Sequence, residues 1–111
     1  MDRLAKFQNI IQETLTEYAT GTTLGGEIES QTVFDLQNNR FLLIDLGWDG
    51  SRRIYNCLIH VEIRSGKIWI QRNQTDCSLT ETLLSRGVER EDIVLGLQPP
   101  ELREYAGLGV A

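Results

Sequence analysis

The sequence predicts an α+β domain, a helix packed on a sheet of about four to five strands with a second, short helix in the C-terminal half. Three observations carry this reading. Apolar residues recur at helical spacing near the start; apolar β-formers crowd the stretch from Phe41 to Gln71, broken only by turn residues; and an S-x-x-E box opens a helix after it.

In the opening segment Leu4, Phe7, Ile11, Leu15 and Tyr18 recur every three or four residues and form one stripe, with Lys6, Gln8, Asn9, Gln12, Glu13 and Glu17 largely outside it. Asp2 is the expected N-cap and Gly21 the expected stop. The stripe is too short for a coiled-coil seam and is read as the face that packs on the sheet. Gly21 to Gly26 is small, polar and Gly-rich, and is expected to be a loop.

Glu27 to Leu36 is rich in β-branched and aromatic residues but alternates poorly, which suits an edge strand. Asn38-Asn39 fits a tight turn, since Asn tolerates left-handed backbone angles. Phe41 to Trp48 is apolar on both faces apart from Asp45, so it is expected to be central and covered on both sides, by helices or by a second subunit.

Asp49-Gly50-Ser51 supplies the next turn, and Arg52 to Ile63 a long strand. Simple alternation puts Tyr55, Cys57, Ile59, Val61 and Ile63 on one apolar face, with Asn56, His60, Glu62 and Arg64 opposite, Ile54 and Leu58 among them. A hairpin at Ser65-Gly66 pairs Arg64 with Lys67, and counting outward pairs Ile63 with Ile68, Glu62 with Trp69, Val61 with Ile70 and His60 with Gln71.

Ser78-Leu79-Thr80-Glu81 is the capping box, so a helix is expected from Leu79 to about Arg86, with Leu79, Leu83 and Leu84 apolar and Gly87 as its stop. Glu89 to Asp92 reads as a charged turn. Ile93 to Leu97 reads equally as a strand or a helical turn. After Pro99-Pro100, Leu102, Tyr105 and Leu108 are expected to dock a last helical turn on the body.

The chain has 111 residues, 41% hydrophobic and 24% charged, which is ordinary for one globular domain, here residues 1–111. Lys and Arg total 11 against 16 Asp and Glu, a formal charge of -5. That balance disfavours non-specific binding to DNA or an anionic membrane, which basic side chains drive. Cys57 and Cys77 form no zinc-ligand spacing with the single histidine, His60, so no metal or cofactor is expected. The start has no apolar signal segment and no run approaches the ~20 apolar residues of a membrane span. A cytoplasmic chain with reduced thiols follows.

Gly47-Trp48, Arg53 and Tyr55 form a GW-x(4)-R-x-Y pattern; His60 follows, and Ser65 to Gln71 reads SGKIWIQ. With LTEYA at Leu15 to Ala19, Thr75-Asp76, Gly87-Val88, DIVLG at Asp92 to Gly96, Pro100 and Arg103, this order and spacing resembles the XisI family, small proteins mostly of cyanobacteria named for a controlling factor in excision of the fdxN DNA element. The likeness covers nearly the whole chain. It implies an α+β fold with a mostly antiparallel sheet, a link to programmed DNA rearrangement, and a companion, XisH, that resembles endonuclease-like proteins. It does not imply a known enzymatic activity. Two positions depart from the family pattern: Asn73 where an acidic residue is usual, and Glu89 where Pro is common. The first removes a candidate carboxylate.

His60, Glu62, Trp69 and Gln71 share one face and contain a histidine beside a carboxylate, a common acid–base pair. With no nucleophile, metal set or phosphate loop beside them, they are read as a contact surface, with a small enzyme centred on His60 and Glu62 as the rival. Trp48, Tyr55 and Trp69 suit base stacking or a protein interface. Arg52, Arg53, Arg64, Lys67 and Arg72 make the strand ends basic and keep a direct DNA-binding regulator as a further alternative. Cys57 is expected in the core, Cys77 at a helix end, and Thr75-Asp76 as a helix cap before a cation site.

The expected function is therefore a non-catalytic factor in excision of a DNA element. It would act by binding the XisH-like companion or the recombinase, with DNA contact indirect and no membrane association. The expected interaction surface comprises Trp48, Arg53, Tyr55, His60, Glu62, Trp69, Gln71 and Arg103. A homodimer is expected, because a sheet apolar on both faces needs more cover than two helices supply.

Overall fold

The computed structural model describes residues 2–21 and 27–110. It consists of helix α1 (Arg3–Gly21), strands β1 (Glu27–Asp35), β2 (Arg40–Asp49), β3 (Arg52–Arg64) and β4 (Lys67–Asn73), helix α2 (Leu79–Ser85) and strand β5 (Ile93–Leu95), with 3-10 turns at Arg90–Asp92 and Pro100–Ala106. The sheet order is β1-β2-β3-β4-β5; β1 to β4 form an antiparallel meander and β5 joins β4 in parallel, so the sheet is mixed.

Helix α1 starts where expected: Asp2 Oδ1 accepts from the Leu4 N–H at 3.0 Å. Its stripe buries Phe7, Ile11 and Leu15, together with Ile10 and Thr14, whereas Leu4 stays exposed. Thr14 is tolerated inside because its hydroxyl donates to the Ile10 carbonyl at 2.7 Å. The expected loop lies, beyond Gly21, outside the described residues.

These side chains pack on Phe41, Leu43, Ile59, Val61, Ile63, Ile68, Ile70 and Ile93, while Leu79, Leu83 and Val88 close the core from the α2 side. Polar contacts fix where α1 lies. Gln8 Nε2 donates to Asn39 Oδ1 at 2.8 Å, the Tyr18 hydroxyl meets Thr82 Oγ1 at 2.9 Å, and Arg3 pairs with Asp92.

The turns follow their chemistry. Asp35 is held below its ordinary pKa by the Asn38 side-chain amide and then by the Asn38 and Gln37 backbone N–H groups. Asn39 takes φ 58, and Ser65 and Gly66 take 50 and 74 at the β3–β4 turn. At Gly47 a Cβ would lie 1.9 Å from the Glu27 carbonyl oxygen, so only glycine lets β1 approach there.

Helix α2 ends in a Schellman motif: the Gly87 N–H reaches the Leu84 carbonyl, the Val88 N–H reaches that of Leu83, and Gly87 has φ 101. Of the expected capping box, the structure shows the Ser78 half, with Ser78 Oγ accepting from the Glu81 N–H at 3.3 Å.

Two irregularities correct the simple alternation. In β3 the register shifts so that Leu43 faces Ile59 but Ile44 faces Cys57, leaving Leu58 as the extra residue. Beyond this bulge the faces exchange: Ile59, Val61 and Ile63 face the helices, but Cys57 and Tyr55 lie on the opposite, outer face. In β4, Val61 pairs with Ile70 but His60 pairs with Arg72, so Gln71 is the extra residue and the expected pairing of His60 with Gln71 does not form.

Of the two readings of Ile93 to Leu97, the structure shows the strand, at Ile93–Leu95. One further expectation changes: the tail docks through Arg103 and Leu108, while Leu102 and Tyr105 are exposed.

Candidate functional site

The outer face of the sheet, turned away from α1 and α2, carries all the candidate residues except Arg103, which the C-terminal 3-10 turn brings over it. The candidates fall into two groups.

The first group surrounds Glu62, and cross-strand pairing builds it. Glu62 lies opposite Arg40 on β2 and Trp69 on β4, with His60 and Arg64 two residues away on its own strand and face. Glu62 is buried, at 7% exposure. Both oxygens are engaged: Oε2 meets His60 Nε2 at 2.8 Å, Oε1 accepts from Arg64 Nε at 2.8 Å, and Arg40 Nε stands 3.7 Å from Oε2. Burial raises the Glu62 pKa, but the hydrogen bonds from His60 and Arg64 and their charges outweigh it and hold the carboxyl below its ordinary value.

Trp69 stands beside this carboxylate, with the guanidinium of Arg64 over its ring at 5.4 Å and that of Arg103 at 5.1 Å. Arg103 is fixed by donating from Nε to the carbonyls of Leu95 and Gln98 at 3.2 and 3.1 Å. Gln71 lies against Gly96, where a Cβ would come within 2.4 Å of its Oε1 and 3.2 Å of Trp69. Among the described residues the buried indole Nε1 has no hydrogen-bond partner. Val94, fully buried, pairs with Trp69 in register and is absent from the helix-side core cluster.

The second group lies at the far end of the same face. The Arg53 guanidinium sits over Trp48 at 5.3 Å and donates to the Gly47 carbonyl at 3.4 Å; Tyr55 is 65% exposed. Beside them on this face lie Leu42, Ile44 and Leu46 of β2, Val33 of β1 and half-buried Cys57. Burial pushes the Cys57 thiol up, which keeps it protonated and unreactive; it is not the helix-side core residue expected.

A carboxylate that already accepts from His60 and Arg64 is a structural anchor for cations rather than a free base. Among the described residues, clefts of about 500, 420 and 250 Å³ flank α1, and neither His60 nor Glu62 lines these. Among the described residues no group of three or more His, Cys, Asp or Glu could hold a metal ion, and no helix is long and apolar enough to cross a membrane. At the loop after β4, Asn73 Oδ1 accepts from the Thr75 N–H and hydroxyl, while its amide donates to the Cys77 carbonyl, so Asn73 orders the turn into α2.

Sequence reasoning missed Arg40 and Arg64 as partners of Glu62. Arg64 shares its face by alternation, and Arg40 follows from counting across the Asn38-Asn39 turn to β2 and on to β3. The approach of Arg103 to Trp69 has no such signal, because it depends on how the tail folds back.

The chain matches the family model described as XisI protein over residues 1–110. A solved XisI-like protein from Anabaena variabilis superposes with a TM-score of 0.92 at 44% identity, covering 97% of this chain and 99% of that one. The fdxN element excision controlling factor XisI of Anabaena variabilis superposes with a TM-score of 0.85 at 28% identity, covering 99% and 100%. A search of curated proteins gave no match.

Proposed function

The chain belongs to the XisI family, and from that premise we propose that it is a non-catalytic controlling factor for excision of a DNA element. It acts by binding a protein of the excision machinery, either an endonuclease-like companion resembling XisH or the recombinase. The observation that carries this reading is the end-to-end match to a structure named as an excision controlling factor.

The geometry supports a protein contact. Trp69, His60, Gln71 and Arg103 form a preorganised aromatic and cationic patch braced by a buried carboxylate, and Trp and Arg are the residues that most often anchor protein interfaces. The patch suits an acidic or aromatic surface on the partner. With both proteins folded, tagged wild-type chain retains the companion or recombinase on co-purification, and Arg103→Glu reduces that retention at least roughly tenfold, the loss of one good interface anchor. Failure of the wild type to retain either protein would sink the proposal.

A second reading has one observation behind it: Arg40, Arg53, Arg64, Arg72 and Arg103 all gather at the outer face of a chain whose net charge is -5. Direct DNA contact through these arginines predicts affinity that falls steeply with salt. A low-salt fluorescence titration that detects no binding to duplex or single-stranded DNA rejects it.

A further inference from the structure

We propose that the β1–β3 part of the outer face is a self-association surface, on which a second copy of this chain packs face to face about a two-fold axis running along β2. The inference rests on the layout of that face and not on the excision reading.

Cross-strand pairing arranges it as rows: Glu27, Trp48 and Arg53; Glu29, Leu46 and Tyr55; Gln31, Ile44 and Cys57; Val33, Leu42 and His60. The middle column is apolar from end to end, and Val33, Trp48 and Tyr55 are 46%, 44% and 65% exposed. Among the described residues no helix covers this area, since α1 and α2 lie on the other face and the tail turn reaches the β4–β5 side. A continuous apolar strip of this kind on an otherwise charged chain marks a contact surface.

Charge selects both the occupant and the symmetry. The β1 column is acidic at Glu27 and Glu29, and the β3 column is basic at Arg53. Sheets that pack face to face keep their strands within about 30° of each other. A two-fold axis along β2 keeps each row at its own height and exchanges the flanks, so Leu42, Ile44 and Leu46 meet their own copies. Glu27 of each chain then faces Arg53 of its partner, and Glu29 faces Tyr55. An axis across the strands would instead set the acidic column against itself. The surface is therefore self-complementary in one orientation, which is what an isologous dimer needs.

The test is the solution mass of the full chain by sedimentation equilibrium over a concentration series, with circular dichroism confirming the fold of each variant. Wild type is expected to be a dimer. Tyr55→Glu, at an exposed position, sets a carboxylate against Glu29 of the partner and is expected to raise the dissociation constant at least roughly tenfold. Arg53→Glu weakens the dimer by opposing Glu27, and adding Glu27→Arg in the same chain recovers it relative to Arg53→Glu alone. A wild type that stays monomeric, or a dimer indifferent to Tyr55→Glu, such as one joined through the free edge of β1, overturns the proposal. A double variant no tighter than Arg53→Glu overturns the axis.

Discussion

Glu62 shows how a single buried acid organises a surface. Replacing it with Gln keeps the shape but removes the charge that holds His60, Arg64 and Arg40, at a cost of about 1–3 kcal/mol at neutral pH, toward the lower end because both arginines are half-exposed. The folded protein binds the Glu62 proton less readily than the unfolded chain, whose carboxyl titrates near 4.5. The stabilisation is thus fully present above that pH and is lost as pH falls below it through the lower folded value. Urea unfolding at pH 7 and pH 3 should show the wild type and Glu62→Gln converging in acid. A constant gap between them would mean that the carboxylate contributes nothing through its charge.

At the scale of elements, α2 has seven residues and depends on its ends. Gly87 stands at φ 101, and its Schellman bonds place Val88 on the core against Leu83. Gly87→Ala should lower stability by about 1–2 kcal/mol through the backbone angle, since a Cβ there meets nothing nearer than the Lys6 side chain at 3.6 Å. Ser78→Ala should cost about 1 kcal/mol by removing the cap on the Glu81 N–H. Thermal unfolding of the two variants checks both values.

The stop, the cap and all three hairpin turns were legible because each uses a residue type that its backbone angle demands. The pairing of Ile63 with Ile68 and of Glu62 with Trp69 followed from the Ser65-Gly66 turn. The bulges were not legible. Leu58 is apolar like its neighbours and carries no mark as an extra residue, so alternation carried past it misplaced Tyr55 and Cys57. The parallel addition of β5 was hidden for a related reason, because three apolar residues have no period of their own.

At the scale of the whole molecule, one rigid sheet presents two surfaces whose functions should be separable. Tyr55 and Glu62 lie seven residues apart on β3, roughly 20 Å at about 3.3 Å per residue. That separation exceeds the ~8 Å screening length at physiological salt, and although His60 borders both surfaces, substitutions so far apart usually behave additively. Tyr55→Glu should therefore weaken self-association while leaving a single chain able to hold its companion through the Trp69 patch. Arg103→Glu should do the reverse, because Arg103 stacks on Trp69 and donates to the Leu95 and Gln98 carbonyls on the β4–β5 side of the sheet.

Avidity supplies the exception that the measurement must resolve. If the companion is itself dimeric, two linked patches raise its apparent affinity without any new contact. Companion binding is best measured with the companion free in solution and this chain dilute on a surface, where each patch acts alone. In that format a chain carrying both Tyr55→Glu and Arg103→Glu should lose companion affinity to the same extent as Arg103→Glu alone, within about twofold. A larger loss would show that Tyr55 and Trp69 belong to one continuous interface.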